Sequence, residues 1–133
     1  MVMDLTKKYI KMCKEAVKFI SPDEFLFLDL NIYYNNFTKQ IETGYIIRNQ
    51  LKIKGYLSNQ EQWDWKKYTI LFTQDQLQEM LNIKDKIKLI FSFYNFLQSK
   101  HAKSINNNSM EQNWLEFVMK EKYKKIWKND KWK

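Results

Sequence analysis

The chain has 133 residues, of which 44% are hydrophobic and 17% aromatic, with two glycines, one proline and one cysteine. That much apolar surface on a chain of domain length excludes intrinsic disorder, and so few glycines exclude a glycine-rich phosphate cradle and a turn-rich all-β sandwich. The formal net charge of +8 favours anionic partners, although Arg48 is the only arginine and the richness in Lys, Asn and Ile also fits an A/T-rich genome.

Residues 3–20 have helical periodicity. Leu5, Tyr9, Met12, Cys13, Ala16, Val17 and Ile20 recur on one side, with Lys7, Lys8, Lys11, Lys14 and Lys18 elsewhere. Ser21-Pro22 stops the helix. Residues 25–34 then alternate as a strand. Leu26, Leu28, Leu30, Ile32 and Tyr34 share one face, and Phe25, Phe27, Asp29, Asn31 and Tyr33 share the other. The second face is half aromatic, so both sides are expected to be covered. Asn35-Asn36 predicts a turn. Residues 37–42 read as a hairpin arm or as loop. Tyr45 to Lys54 is extended or helical, with Leu51 and Ile53 favouring a strand that Gly55 breaks. Residues 56–67 are largely polar, with Trp63 and Trp65 on one side of any strand, and Tyr68 to Phe72 is a short apolar run.

Two helix-start signals follow, Thr73-Gln74-Asp75-Gln76 and Ser109-Met110-Glu111-Gln112. Each has a hydroxyl first, an acid two positions on and a glutamine three positions on. This is a capping box: the hydroxyl accepts an otherwise unpaired N–H, and the glutamine reaches back to the cap residue's own N–H. The acid complements the helix dipole. Helices are expected from Gln74 to about Asn82, from about Lys84 to Gln98, and from Met110 to about Trp127, with a polar loop over 99–108. The fold class is α+β: an N-terminal helix, a small antiparallel sheet, then three C-terminal helices, in one domain over residues 1–133. No stretch approaches the uncharged length of a membrane span, and the N-terminus lacks the apolar run of a signal peptide, so a cytoplasmic protein is expected.

Little reactive chemistry is present. His101 is the lone histidine and Cys13 the lone cysteine, so neither a triad nor a His/Cys metal site has its partners. Cys13 falls on the apolar side of the first helix, where a buried inert thiol is expected. Asp29 on one strand and Gln50 and Lys52 on another match the outline of a divalent-metal nuclease. In that alternative Asp29 and Gln50 would hold the cation and Lys52 would stabilise the attacking hydroxide. No cofactor is expected otherwise.

The last fourteen residues hold seven lysines against Glu121 and Asp130, interleaved with Tyr123, Trp127 and Trp132. Basic and aromatic residues together grip a phosphate backbone and stack on unpaired bases. Tyr123 and Trp127 are expected to pack inward, leaving Trp132 to make contacts. Trp63 and Trp65, beside Lys66 and Lys67, form a second candidate anchor. The candidate contact residues are therefore Trp63, Trp65, Lys66, Lys67, Lys122, Lys125, Lys128 and Trp132.

The ordered string TQDQLQEM (residues 73–80) followed by SMEQNWLEFVMKEKY (residues 109–123), Trp127 and Trp132 resembles a group of small proteins encoded in phages and prophages of low-GC bacteria. The resemblance spans roughly residues 68–133 and carries no functional residue with it. It implies a setting in which small proteins act by binding, on nucleic-acid machinery or against a defence system. The expected function is a non-enzymatic accessory protein, an anti-CRISPR-like inhibitor that occludes a host protein or nucleoprotein complex. The alternative is a direct DNA- or RNA-binding protein.

Overall fold

Thr6 sets the start of the first helix. Its hydroxyl accepts from the Tyr9 N–H at 3.2 Å, and its own N–H donates to the Asp4 carboxylate at 2.9 Å. Helix α1 therefore spans Lys7–Ala16, shorter at both ends than the periodicity over 3–20 predicts. The computed structural model describes residues 4–20, 31–47, 50–53, 56–62, 68–99 and 108–133. The α1 side chains Tyr9, Met12, Cys13 and Ala16 are buried, while Lys7, Lys8, Lys11 and Lys14 are exposed.

Five strands follow: β1 (Asn31–Asn35), β2 (Gln40–Ile47), β3 (Gln50–Ile53), β4 (Tyr56–Gln62) and β5 (Tyr68–Leu71). They form one antiparallel sheet in the order β4-β3-β2-β1-β5. Of the segments that were ambiguous in sequence, 37–39 are turn, and 40–42, 45–47 and 50–53 are hairpin strand, while 48, 49 and 54 lie outside the described residues. Of the predicted strand over 25–34, residues 25–30 lie outside the described residues, and 31–35 form β1. Tyr33 is fully buried and Ile32 and Tyr34 are half-buried, so both faces of β1 are covered. The Asn35 side chain builds the expected turn by accepting from the Phe37 and Thr38 N–H groups. The Lys39 N–H closes the turn on the Asn35 carbonyl at 2.8 Å, with Lys39 at φ 62°.

The C-terminal half is helical. Helix α2 spans Gln74–Met80, α3 Lys86–Ser99 and α4 Met110–Tyr123. Helix α4 packs against α1, α2 and α3, with Trp114, Leu115, Phe117, Val118 and Met119 buried. Phe93 of α3 stacks on Trp114 with ring centroids 3.7 Å apart and meets Phe117 edge-on. Such pairs add about 1 kcal/mol each beyond area burial.

Helix α4 was expected to run to Trp127, and it stops at Tyr123. Lys124 is left-handed at φ 57°, its N–H donates to Lys120 O, and the Lys125 N–H donates to Met119 O. The first of these is the single 5→1 bond that closes an αL-type helix end. The chain then makes a hairpin that the helical reading missed: β6 (Trp127–Lys128) and β7 (Lys131–Trp132). Asn129 and Asp130 both have positive φ, 55° and 61°, as a tight two-residue turn requires. Among the described residues, no helix is long and apolar enough to cross a membrane.

Candidate nucleic-acid interface

Helix periodicity places Lys7, Lys11 and Lys14 at i, i+4 and i+7, in one line along the outer side of α1. At 1.5 Å of rise per residue that line is about 10 Å long. Across from it stands the β1–β2 turn, which supplies Lys39 and Asn36, and the half-buried ring of Tyr34 from β1. Between them lies an open cleft of roughly 700 Å³. Its floor is Ile10 and Tyr34, and its rims carry four lysines against one acid, Glu15, which pairs with Lys18. Lys11 has only a loose ion pair, 3.8 Å from exposed Asp130. Lys7, Lys14 and Lys39 have no ion pair among the described residues. A second hollow lined by Lys14, Val17, Lys18 and Thr69 shares Lys14 with the first, so the basic trough runs along α1 toward β5.

Lys39 occupies its position at a cost. A left-handed conformation disfavours any residue with a Cβ by about 1 kcal/mol, and glycine or asparagine is the usual occupant. A lysine held there, with its side chain lining a basic cleft, trades turn stability for charge. Phe37, between the cleft residues Asn36 and Lys39, leaves 67% of its surface exposed.

The C-terminal candidates separate sharply. Trp132 is a correction: it was expected to be free for contacts, and its ring is 4% exposed, with Nε1 donating to the Met12 carbonyl at 3.0 Å. The tight turn at Asn129-Asp130 folds it back onto α1, next to Trp127 at 4.9 Å between ring centroids. A buried, hydrogen-bonded indole is unavailable for base stacking. Lys122 is also engaged, donating to the Met80 carbonyl at the end of α2 at 2.8 Å, where a cation meets the negative end of that helix. Lys125 holds its ammonium 4.9 Å from the centre of the Phe19 ring. Lys128 is exposed. Tyr123 and Trp127 pack partly inward, as expected. Trp63, Trp65, Lys66 and Lys67 lie outside the described residues.

The structure brings the exposed hairpin lysines next to α1 through Trp132, not through a continuous helix. Sequence reading missed Lys7, Lys11, Lys14 and Lys39 as site residues. The α1 lysines looked like an ordinary solvated face, and only the tertiary approach of Lys39 turns them into one wall of a cleft. The available signal was the i, i+4, i+7 spacing of lysines in a helix whose single acid is Glu15.

Three described groups that could bear chemistry, Cys13, Tyr9 and Asp4, are held within the fold. Cys13 is fully buried, and burial pushes its thiol up to about 12, so no reactive thiolate forms near neutral pH. Tyr9 is likewise buried and its phenol is raised well above its ordinary value, chiefly by desolvation; its hydroxyl donates to Phe72 O at 2.6 Å. Asp4 is tied into the fold. Burial alone would raise its carboxyl, but hydrogen bonds from Ser109, Thr6 and Gln112 outweigh that and hold it below the ordinary carboxylate range. For the nuclease alternative, Asp29 lies outside the described residues, as does the lone histidine, His101. Gln50 and Lys52 lie on β3, in register with Ile47 and Tyr45 of β2.

Comparison with protein-family models, with curated proteins and with solved structures returned no match.

Proposed function

We propose that the protein is a non-enzymatic accessory protein of phage type that works by occlusion, laying the lysine edge of α1 along the phosphate backbone of RNA or DNA, free or within a host nucleoprotein complex. The observation that carries this reading is the cleft with Lys7, Lys11, Lys14 and Lys39 on its rims. Its roughly 10 Å lysine line is long enough to reach about two or three successive phosphates of one strand. The chemistry favours backbone contact over base reading, because lysine is a point charge without the arginine fork. A cationic cleft is repelled by the cationic channel of a nucleic-acid-processing complex. Occlusion would therefore proceed by covering the nucleic acid, not by filling the empty channel.

Fluorescence anisotropy with labelled single-stranded and duplex oligonucleotides over a salt series tests the proposal. Each lysine engaged on a phosphate contributes about 0.7–0.9 to the slope of log affinity against log salt. The Lys7→Ala/Lys11→Ala/Lys14→Ala protein is expected to lose about two units of slope while melting at the wild-type temperature. No binding at low salt, or an unchanged slope in the triple variant, defeats it.

A further inference from the structure

Helix α3 carries apolar residues on both sides. Leu89 and Phe93 are buried against α4, as expected of one face. The opposite side presents Ile87, Ile90, Phe91 and Tyr94 at i, i+3, i+4 and i+7, exposed by 68%, 62%, 63% and 56%. That spacing is a continuous stripe two turns long. Single exposed apolar residues are ordinary, but four large ones in one helical line are not.

The same helix has a second feature that is unfavourable in isolation. Lys86 and Lys88 lie in its first turn and Lys84 just before it, where the positive end of the helix dipole repels cations by a few tenths of a kcal/mol each. The only acid there, Asp85, is the cap, accepting from the Ile87 and Lys88 N–H groups. Among the described residues none of the three lysines forms an ion pair, although Glu79 lines the same shallow groove as Lys84 and Lys86. The last turn of α3 has no basic residue.

One occupant relieves both features. We infer that the outer face of α3 is a docking surface for an acidic amphipathic helix of a protein partner. The partner's apolar side covers Ile87, Ile90, Phe91 and Tyr94, and its carboxylates meet Lys84, Lys86 and Lys88. A second copy of this chain is the poorer occupant, because each copy brings a net charge of +8 and, at the lysine end of the stripe, only Asp85 and Glu79 against Lys84, Lys86 and Lys88. The surface is separate from the α1 cleft, so it assigns the protein a protein-binding face in addition to a nucleic-acid one.

The probe is a synthetic helix of about 18 residues with leucines at i, i+3, i+4 and i+7 and glutamates flanking them, alongside a twin with lysines in place of the glutamates. Backbone amide NMR is followed during titration into the whole protein. The acidic peptide is expected to shift α3 resonances selectively, with binding weakened at least tenfold in high salt. The lysine twin is expected to leave them unmoved. Ile90→Glu and Phe91→Glu, both at solvent-facing positions, are expected to abolish the shifts with an unchanged melting temperature, and Lys7→Ala is expected to leave them intact. Equal binding of both peptides marks the stripe as merely adhesive and overturns the proposal. So does a failure of the acidic peptide to bind, or a concentration-dependent dimer in sedimentation that Ile90→Glu dissolves.

Discussion

Helices α1 and α3 treat their outer sides in opposite ways. In α1 the buried line is Tyr9, Met12, Cys13 and Ala16, and the solvent line is lysine. In α3 the buried line is Leu89 and Phe93, and the solvent line is Ile87, Ile90, Phe91 and Tyr94. The first helix is complete in a monomer: its apolar surface is covered and its charge faces water. The second leaves four large apolar side chains open to water. Lysines on α1 sit beside a cleft whose far wall is also basic, whereas lysines on α3 cluster at the end where its own dipole disfavours them. The contrast underlies the two proposed surfaces, one for phosphate and one for an acidic apolar helix.

The most direct way to break the comparison is to remove the same side chain from each side of α3. Phe93→Ala is expected to cost about 3–5 kcal/mol in urea denaturation, through lost burial, the cavity left beside Trp114 and the missing ring stack. Phe91→Ala is expected to stay within about 0.5 kcal/mol of wild type. If both cost the same, the outer stripe belongs to the core and α3 resembles α1 after all.

A smaller effect is expected where α1 is anchored. Asp4 accepts from Thr6 N–H, from the Ser109 hydroxyl and from Gln112 Nε2, the last at 2.7 Å. Asp4→Ala leaves those donors without their acceptor and is expected to cost about 1–3 kcal/mol near neutral pH. The pH dependence follows from the lowered carboxyl. Its folded value lies below the unfolded one, so the stabilisation is fully present above about pH 4 and is lost as pH falls through the folded value. Denaturation curves of wild type and Asp4→Ala are therefore expected to converge only in acid. A gap that persists unchanged at pH 2 would show that packing, not the carboxylate, ties α1 to α4.

The smallest effects sharpen the cleft. Lys39→Gly is expected to raise stability by about 0.5–1 kcal/mol, by relieving the left-handed backbone, while weakening oligonucleotide binding. Lys124→Gly, at the left-handed end of α4, is expected to give a similar stabilisation with binding untouched. Thermal melts and anisotropy together separate the two. If neither glycine variant binds less tightly, Lys39 does not serve the cleft.

Two near-identical starts show how far local sequence reaches. At α2 the capping box closes as written: the Thr73 hydroxyl accepts from the Gln76 N–H, and the Thr73 N–H donates to Gln76 Oε1 at 3.0 Å. At α4 only half of it forms. Ser109 accepts from the Gln112 N–H, but the Gln112 side chain turns to Asp4, 108 residues away. Once the N-terminal segment arrives, Gln112 donates through Nε2 to the charged Asp4 instead of accepting through Oε1 from the Ser109 N–H, because hydrogen bonds to ionised groups are stronger. The C-terminal hairpin failed to stand out for a related reason. Trp127-Lys128-Asn129-Asp130-Lys131-Trp132 contains a two-residue turn signal, yet Tyr123, Ile126 and Trp127 continue the helical spacing of Trp114 to Met119. Period alone cannot separate a helix from a chain that merely ends in phase with one.

The α+β order, the helix starts at Thr73 and Ser109, the turn at Asn35 and the burial of Cys13 follow from the amino-acid order itself. Each rests on hydrogen bonds or periodicity within a few residues, and such interactions need no distant partner. Which side of α3 faces α4, where Gln112 donates, the seat of Trp132 on Met12 and the meeting of Lys39 with the α1 lysines were settled only when the elements packed. Those outcomes are competitions for shared space and shared acceptors between segments far apart in the chain, and no local pattern ranks the competitors.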